Sequence, residues 1–255
     1  MTFKPPSRAA ADPLSPPRTS LEGPAVPSHI AGPPRSNAAP LPPGYFVTGT
    51  DTGVGKTAVA ASLCVSLRAA GHRVAAVKPV LTGLDDDGPH DHELLAEATG
   101  GDPLDIAPVR FGPPASPHLA AELAGEPIDP VALVRHVEAA AATADVVVVE
   151  GVGGLLVPIT PDYSVRDLAV DLGLPLVIAA RPGLGTINHT LLTVEAARAA
   201  GLEIDRIVLT PWPSEPSAIE RSNRDTIERL TGVVVATLAP IPVADLASLG
   251  AAPAS

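Results

Sequence analysis

The chain has 255 residues, 31 of them proline, and 12 of those prolines stand in residues 1–43. One cysteine, Cys64, excludes an intramolecular disulfide framework and a cysteine-built zinc site, and no apolar run approaches the ~18 residues of a membrane span. The formal charge is −11; residues 1–43 carry +2 (Lys4, Arg8, Arg18 and Arg35 against Asp12 and Glu22), which leaves −13 on the remainder and disfavours broad binding to a nucleic-acid backbone.

In chain order, residues 1–43 come first: they lack apolar periodicity, proline interrupts them every few residues, and they read as a disordered leader. From Tyr45 onward, short β-branched runs alternate with Ala/Leu/Arg-rich stretches of helical length. A strand over Tyr45–Thr48 precedes a helix over Lys56–Ala70, and a strand over Arg73–Lys78 precedes a helix over His92–Thr99. Helices over Pro117–Ala124 and Pro130–Thr143 lead to a strand over Asp145–Val149 and a helix over Val165–Leu172. The strand Leu176–Ala179, helix Thr186–Ala200, strand Arg206–Leu209, helix Ala218–Leu230 and strand Val233–Ala236 complete the pattern. Residues 44–241 therefore read as a single α/β domain, doubly wound, with a mostly parallel sheet and helices on both faces. Residues 242–255 read as a short C-terminal tail. Ligands in such folds gather outside the carboxyl ends of the strands, so chemistry is expected there.

The first strand runs straight into Gly49-Thr50-Asp51-Thr52-Gly53-Val54-Gly55-Lys56-Thr57, with a helical pattern from Lys56. This is a phosphate loop in its required setting: curled backbone N–H groups and a helix N-terminus receive phosphate oxygens. Lys56 reaches the β- and γ-phosphates, and the Thr57 hydroxyl ligates Mg²⁺. Five residues rather than four separate Gly49 from Gly55, so the loop is a lengthened variant. Asp51 beside it reads as a structural hydrogen-bond acceptor.

Only two lysines, Lys56 and Lys78, stand in residues 44–255. Lys78 ends the second strand, in Lys78-Pro79-Val80-Leu81-Thr82-Gly83, and is either a second cation at the carboxyl edge or a snorkelling surface lysine. Val146-Val147-Val148-Val149, apolar on both faces as a central strand should be, runs into Glu150 and then Gly151-Val152-Gly153-Gly154. Glu150 is either a carboxylate for Mg²⁺ or a cap on the following loop. The run from Asp85 to Glu93 reads mostly as a solvated loop, with Asp91 its one candidate for Mg²⁺. His118 reads as a packing or cap residue.

Six segments in order then resemble the dethiobiotin synthetase family: Gly49–Thr57, Lys78–Gly83, Ser116-Pro117-His118, Glu150–Gly154, Gly185-Thr186-Ile187-Asn188-His189-Thr190 and Thr210-Pro211-Trp212-Pro213. The resemblance implies a homodimeric, cytoplasmic, ATP- and Mg²⁺-dependent enzyme of biotin synthesis, acting on 7,8-diaminononanoate and CO₂, with no nucleic-acid or membrane partner. It implies Thr57, Asp91 and Glu150 as Mg²⁺ ligands, and Lys56, Lys78 and Thr52 as catalytic. The nucleotide site it implies comprises Thr50, Asp51, Thr52, Gly53, Val54, Gly55, Lys56, Thr57, Glu150, Thr210 and Pro211. For the substrate it implies Thr52, Lys78, Thr82, Gly151, Val152, Gly153, Gly154 and, across the dimer interface, Asn188. Thr210–Pro213 replaces an asparagine-containing adenine site, which leads us to expect relaxed nucleotide use. Alternative readings are a P-loop amide-forming synthase and a partition-type switch ATPase.

Overall fold

The four consecutive valines Val146–Val149 set the architecture, because a strand apolar on both faces is stable only when both are covered. In the computed structural model, which describes residues 41–241, they begin β5 (Val146–Gly154). Its neighbours are β1 (Gly44–Gly49) on one side and β2 (Val74–Val77) on the other. The sheet continues from β1 through β8 (Leu176–Ala180), β9 (Ile204–Leu209) and β10 (Val235–Thr237). All six strands are parallel, in the order β10-β9-β8-β1-β5-β2.

Alternation along each strand sorts side chains between two cores. Phe46, Val147, Val149, Leu176 and Ile178 face one cluster, packed by α5 (Pro130–Ala141), α6 (Val165–Leu172), α7 (Thr186–Ala199) and α8 (Ala218–Thr231). Val47, Val148, Val177 and Ala179 face the other, packed by α1 (Lys56–Ala69) and α2 (Asp91–Thr99). Both faces are thus helix-covered, as the doubly wound pattern requires. Cys64 lies inside the α1 face, where burial pushes its thiol up to about 12. Among the described residues, no helix is long and apolar enough to cross a membrane.

Connections from β1 lead toward β2, whereas those from β5 lead across β1 to β8. The crevice between the carboxyl ends of β1 and β5 is therefore the switch point of the sheet. Beyond shifts of one or two residues at element ends, as in β2, β9, β10 and α5, the elements differ from expectation in two ways. Strand β5 runs on through Gly154, because Gly154 pairs with Gly49 after a register shift in β1. Five short elements also appear: β3 (Val80–Thr82) pairs with β4 (Val109–Phe111), β6 (Pro158–Thr160) pairs with β7 (Tyr163–Ser164), and α3 (Pro103–Ile106) is one turn. Segments of two to four residues carry no periodicity to read, and tertiary pairing creates them. The expected leader lies almost wholly outside the described residues, as does the tail.

Candidate active site

Gly49 ends β1 in close contact with its own loop: a Cβ there would meet Val54 Cγ2 at 2.8 Å and the Asp51 carbonyl at 2.9 Å. The loop then turns into α1 through Gly55, whose φ of 90° is left-handed and whose missing Cβ leaves room for Thr210 Cγ2, only 2.7 Å from where it would stand. Asp51 is indeed a local acceptor, taking the Thr52 N–H at 2.7 Å. Arg181 donates to the Thr52 carbonyl at 3.1 Å and ties the loop to the end of β8. Val54 turns its side chain into the core behind the loop.

Lys56 is buried and its Nζ donates to the Asp51 carbonyl at 3.0 Å, so its ammonium folds over the loop it serves. Burial lowers its pKa, with Lys78 adding to the effect and Glu150 and Asp91 opposing it. Next along α1, Thr57 Oγ1 lies 2.7 Å from Asp91 Oδ1 and 2.9 Å from Glu150 Oε1. Asp91 arrives as the first residue of α2, and Glu150 from within β5.

Lys78, the residue directly after β2, is fully enclosed rather than snorkelling. Its Nζ is 2.6 Å from Asp91 Oδ2 and 2.7 Å from Glu150 Oε1. Burial alone would lower the Lys78 pKa, but these two carboxylates outweigh it and hold the ammonium above its usual range. Burial likewise works against the Asp91 carboxylate, yet Lys78 and the Thr57 hydroxyl keep its pKa below the ordinary value. Glu150 is pushed up by burial, against the pull of Lys78.

The oxygens of Thr57, Asp91 and Glu150 also meet the requirements of a hard divalent cation. Mg²⁺ is held through one or two carboxylates plus hydroxyl, water and phosphate oxygens, and no soft donor is present here. The single Thr57 proton serves only one of its two carboxylate neighbours at a time, and Glu150 Oε2 is buried with no partner. Both facts leave acceptor capacity that a cation would use.

A cavity of about 620 Å³ opens at this point. Of the residues expected from sequence, Thr52, Gly53, Gly55, Lys56, Thr57, Lys78, Thr82, Asp91, Glu150, Val152 and Gly153 line it. Asp86, Ser116, Pro117 and Val157 line it too, without having been singled out as site residues. Ser116 and Pro117 could have been taken from the Ser-Pro-His segment; Asp86 has no such signal within its acidic run. A second hollow of about 410 Å³ is lined by Thr50, Asp51, Thr52 and Gly154 together with His189 and Leu192 of α7. Gly151 lines neither; it is a spacer under Phe46 and Val165, 3.1 and 3.0 Å from where its Cβ would be. Asn188 is exposed on the first turn of α7 and lines neither hollow. Thr210 is buried behind Gly55 and joined to Pro211 by a cis peptide bond, and both lie outside the main cavity.

A phosphate loop at the switch point of a parallel sheet, with a lysine, a hydroxyl and two carboxylates converging at its mouth, defines a P-loop nucleotide-using enzyme. Residues 43–248 match the family described as an AAA domain. The chain is 44% identical to the ATP-dependent dethiobiotin synthetase BioD of Anaeromyxobacter sp. (strain Fw109-5), over 74% of this chain and 90% of that protein. The proteins of the same name from Haloferax mediterranei (42%, covering 78% of this chain and 85% of that protein) and Aquifex aeolicus (41%, covering 74% and 84%) are similarly alike. Among solved structures, a ParA family ATPase from Chlorobium tepidum TLS aligns at a TM-score of 0.47 and 13% identity, over 82% of this chain and 90% of that one. The chain belongs to the ATP-dependent dethiobiotin synthetase family and is an ATP-dependent ligase that forms a carbon–nitrogen bond.

Proposed function

We propose that the chain closes the ureido ring of dethiobiotin from 7,8-diaminononanoate and CO₂ with cleavage of ATP to ADP and phosphate, in the cytoplasm and as a homodimer. The observation that carries this reading is the convergence of Lys56, Thr57, Lys78, Asp91 and Glu150 on one cavity beside the phosphate loop. One substrate amine adds to CO₂ and loses a proton, giving a carbamate. A carbamate oxygen then attacks the γ-phosphorus and ADP departs, leaving a carbamic–phosphoric anhydride. The second amine attacks the carbonyl carbon, phosphate leaves, and the ring closes.

Phosphoryl transfer asks the protein mainly for position and charge. Lys56 exchanges the Asp51 carbonyl for the β- and γ-phosphate oxygens, a move within reach because that contact is a single 3.0 Å hydrogen bond. Thr57, Asp91 and Glu150 would hold Mg²⁺, which when bound would neutralise charge on the phosphates. Lys78 holds the carbamate against the γ-phosphate, two anions that repel each other. Thr52 and Thr82 offer hydroxyls at the same cavity, and Val152 and Gly153 supply a wall for the carbon chain. Asn188 acts on the substrate of a partner protomer; Leu184, Leu192 and Leu156 are exposed and offer apolar surface for that contact. Residues 44–241 form the synthetase unit, with residues 1–43 a leader and 242–255 a tail.

The test is ATP consumption with 7,8-diaminononanoate and bicarbonate, omitting each in turn: turnover is expected only with all three present, and ATP hydrolysis indifferent to the diamine would refute the reaction. Thr210 and Pro211 are read as part of the nucleotide site, lacking the asparagine of an adenine-selective one. Turnover with GTP and CTP is therefore expected within about tenfold of that with ATP, a difference of about 1.4 kcal/mol. A strict preference for ATP would overturn this expectation.

A further inference from the structure

Three carboxylates and two lysines line the main cavity. Asp91 and Glu150 are answered by Lys78 and Thr57, while Lys56 is turned over the phosphate loop. The third carboxylate, Asp86, has no ion pair and no side-chain hydrogen bond among the described residues.

The Asp86 side chain is exposed, but the backbone that carries it is held in place. Gly83, with a φ of 89°, turns the chain out of β3, and the Asp86 N–H closes that turn on the Gly83 carbonyl at 3.2 Å. Gly83, Leu84 and Asp85 donate their N–H groups to the carbonyls of Pro113, Phe111 and Gly112. These bonds pin the loop to the segment that leads into α4 (Pro117–Ala124). A Cβ on Gly83 would meet Asp86 Oδ2 at 3.3 Å and Pro114 Cβ at 3.6 Å, so Asp86 stands beside the Pro114–Pro117 wall of the cavity. The result is an exposed carboxylate on a pinned backbone, without a protein partner among the described residues, on the rim of a site that otherwise gathers cations for phosphate.

The proposed substrate is a diamine, and only one of its amines is used to capture CO₂. The other, an ammonium in free solution, gives up one proton, to the departing phosphate, as it attacks; until then a carboxylate not already committed to Lys78 would suit it. We propose that Asp86 is a substrate-specificity residue that accepts a hydrogen bond from the ammonium of this second amine and so selects a diamine over a monoamine. The inference rests on the function proposed above. It separates the cavity into a phosphate side, governed by Lys56 and Lys78, and an ammonium side, governed by Asp86.

Asp86→Asn and Asp86→Glu in the full chain test it, with Asp87→Asn, equally exposed but not lining the cavity, as the control for bulk charge. Asp86→Asn is expected to raise the KM for the diamine about tenfold, as the loss of one charge-assisted hydrogen bond does. The KM for ATP and the half-saturating Mg²⁺ concentration should stay unchanged, with kcat within about twofold at saturating diamine. Asp86→Glu should recover most of the affinity, Asp87→Asn should leave it intact, and thermal midpoints should confirm that all three variants fold. An unchanged diamine KM in Asp86→Asn, or an equal rise in Asp87→Asn, overturns the proposal, as does a rise confined to Mg²⁺ or ATP. If the wild-type enzyme does not consume ATP in response to the diamine, the proposed function falls and takes this inference with it. A normally active wild type with an indifferent Asp86→Asn removes the inference alone.

Discussion

The Lys78 ammonium, 2.6 Å from Asp91 and 2.7 Å from Glu150, answers two carboxylates brought together by separate elements. It is therefore a structural counter-ion as well as the proposed partner of the carbamate. Removing one member of a buried charge network leaves the others uncompensated. Lys78→Met is expected to lower stability by about 3 kcal/mol, toward the low end for such a loss because Asp91 is partly exposed. Urea unfolding measures this, and adding Mg²⁺ should restore more stability to the variant than to the wild type, since the cation would replace the missing charge. Turnover should fall about a hundredfold or more at saturating ATP, the usual scale for losing one preorganised charge at a reacting centre. A variant with normal turnover and lowered stability would leave Lys78 purely structural.

At the scale of elements, pairing fixes where the strands begin as well as where they end. Arg73 and Asp145 stand just before β2 and β5 and tie their amino ends together through Arg73 side-chain and backbone N–H groups. Hydrogen bonds from the Arg73 side chain, then from its backbone, hold the Asp145 carboxyl at about 2, below its ordinary 3.8. A depressed folded-state value gives stability that is fully present above the ordinary value and lost as the pH falls from about 4 toward 2. Asp145→Asn should thus be less stable than wild type at pH 7, and the two urea midpoints should converge across that window. A gap undiminished at pH 2 would show that the pair contributes through packing rather than through charge. Both side chains are exposed, so the effect is a modest one.

For the whole molecule, the question is where the folded unit starts. The Pro43 carbonyl accepts the Val147 N–H at 3.1 Å and Leu41 packs on the core, ahead of the boundary proposed at residue 44. Deleting residues 2–40 is expected to leave turnover and thermal midpoint unchanged. Extending the deletion through residue 43 should lower stability by about 1–2 kcal/mol, from one backbone hydrogen bond and one half-buried leucine. Loss of activity in the shorter deletion would show that the leader contributes to the enzyme.

The legible part of the protein lay in local patterns. Alternating β-branched and alanine-rich runs gave away six parallel strands and the helices between them, because burial on both faces demands apolar residues in those periods. Gly55-Lys56-Thr57 at a strand–helix junction announced phosphate chemistry, since backbone N–H groups at a helix start are positioned by local conformation alone. Glu150 and Lys78, by contrast, carried open alternatives. Each is a single polar residue at a strand end, and nothing nearby in the chain says what faces it. Asp91 is the candidate in an acidic run that otherwise reads as a solvated loop, Asp86 included. Only the tertiary structure separates the two: it turns Asp91 inward to Thr57 and Lys78 and leaves Asp86 exposed on the cavity rim. The sequence alone thus determined the sheet, the phosphate loop and the family, because periodicity and short motifs are local. Which charges neutralise one another was decided by the packing of β2, β5, α1 and α2 around one crevice, because Coulomb interactions depend on distances in space rather than along the chain.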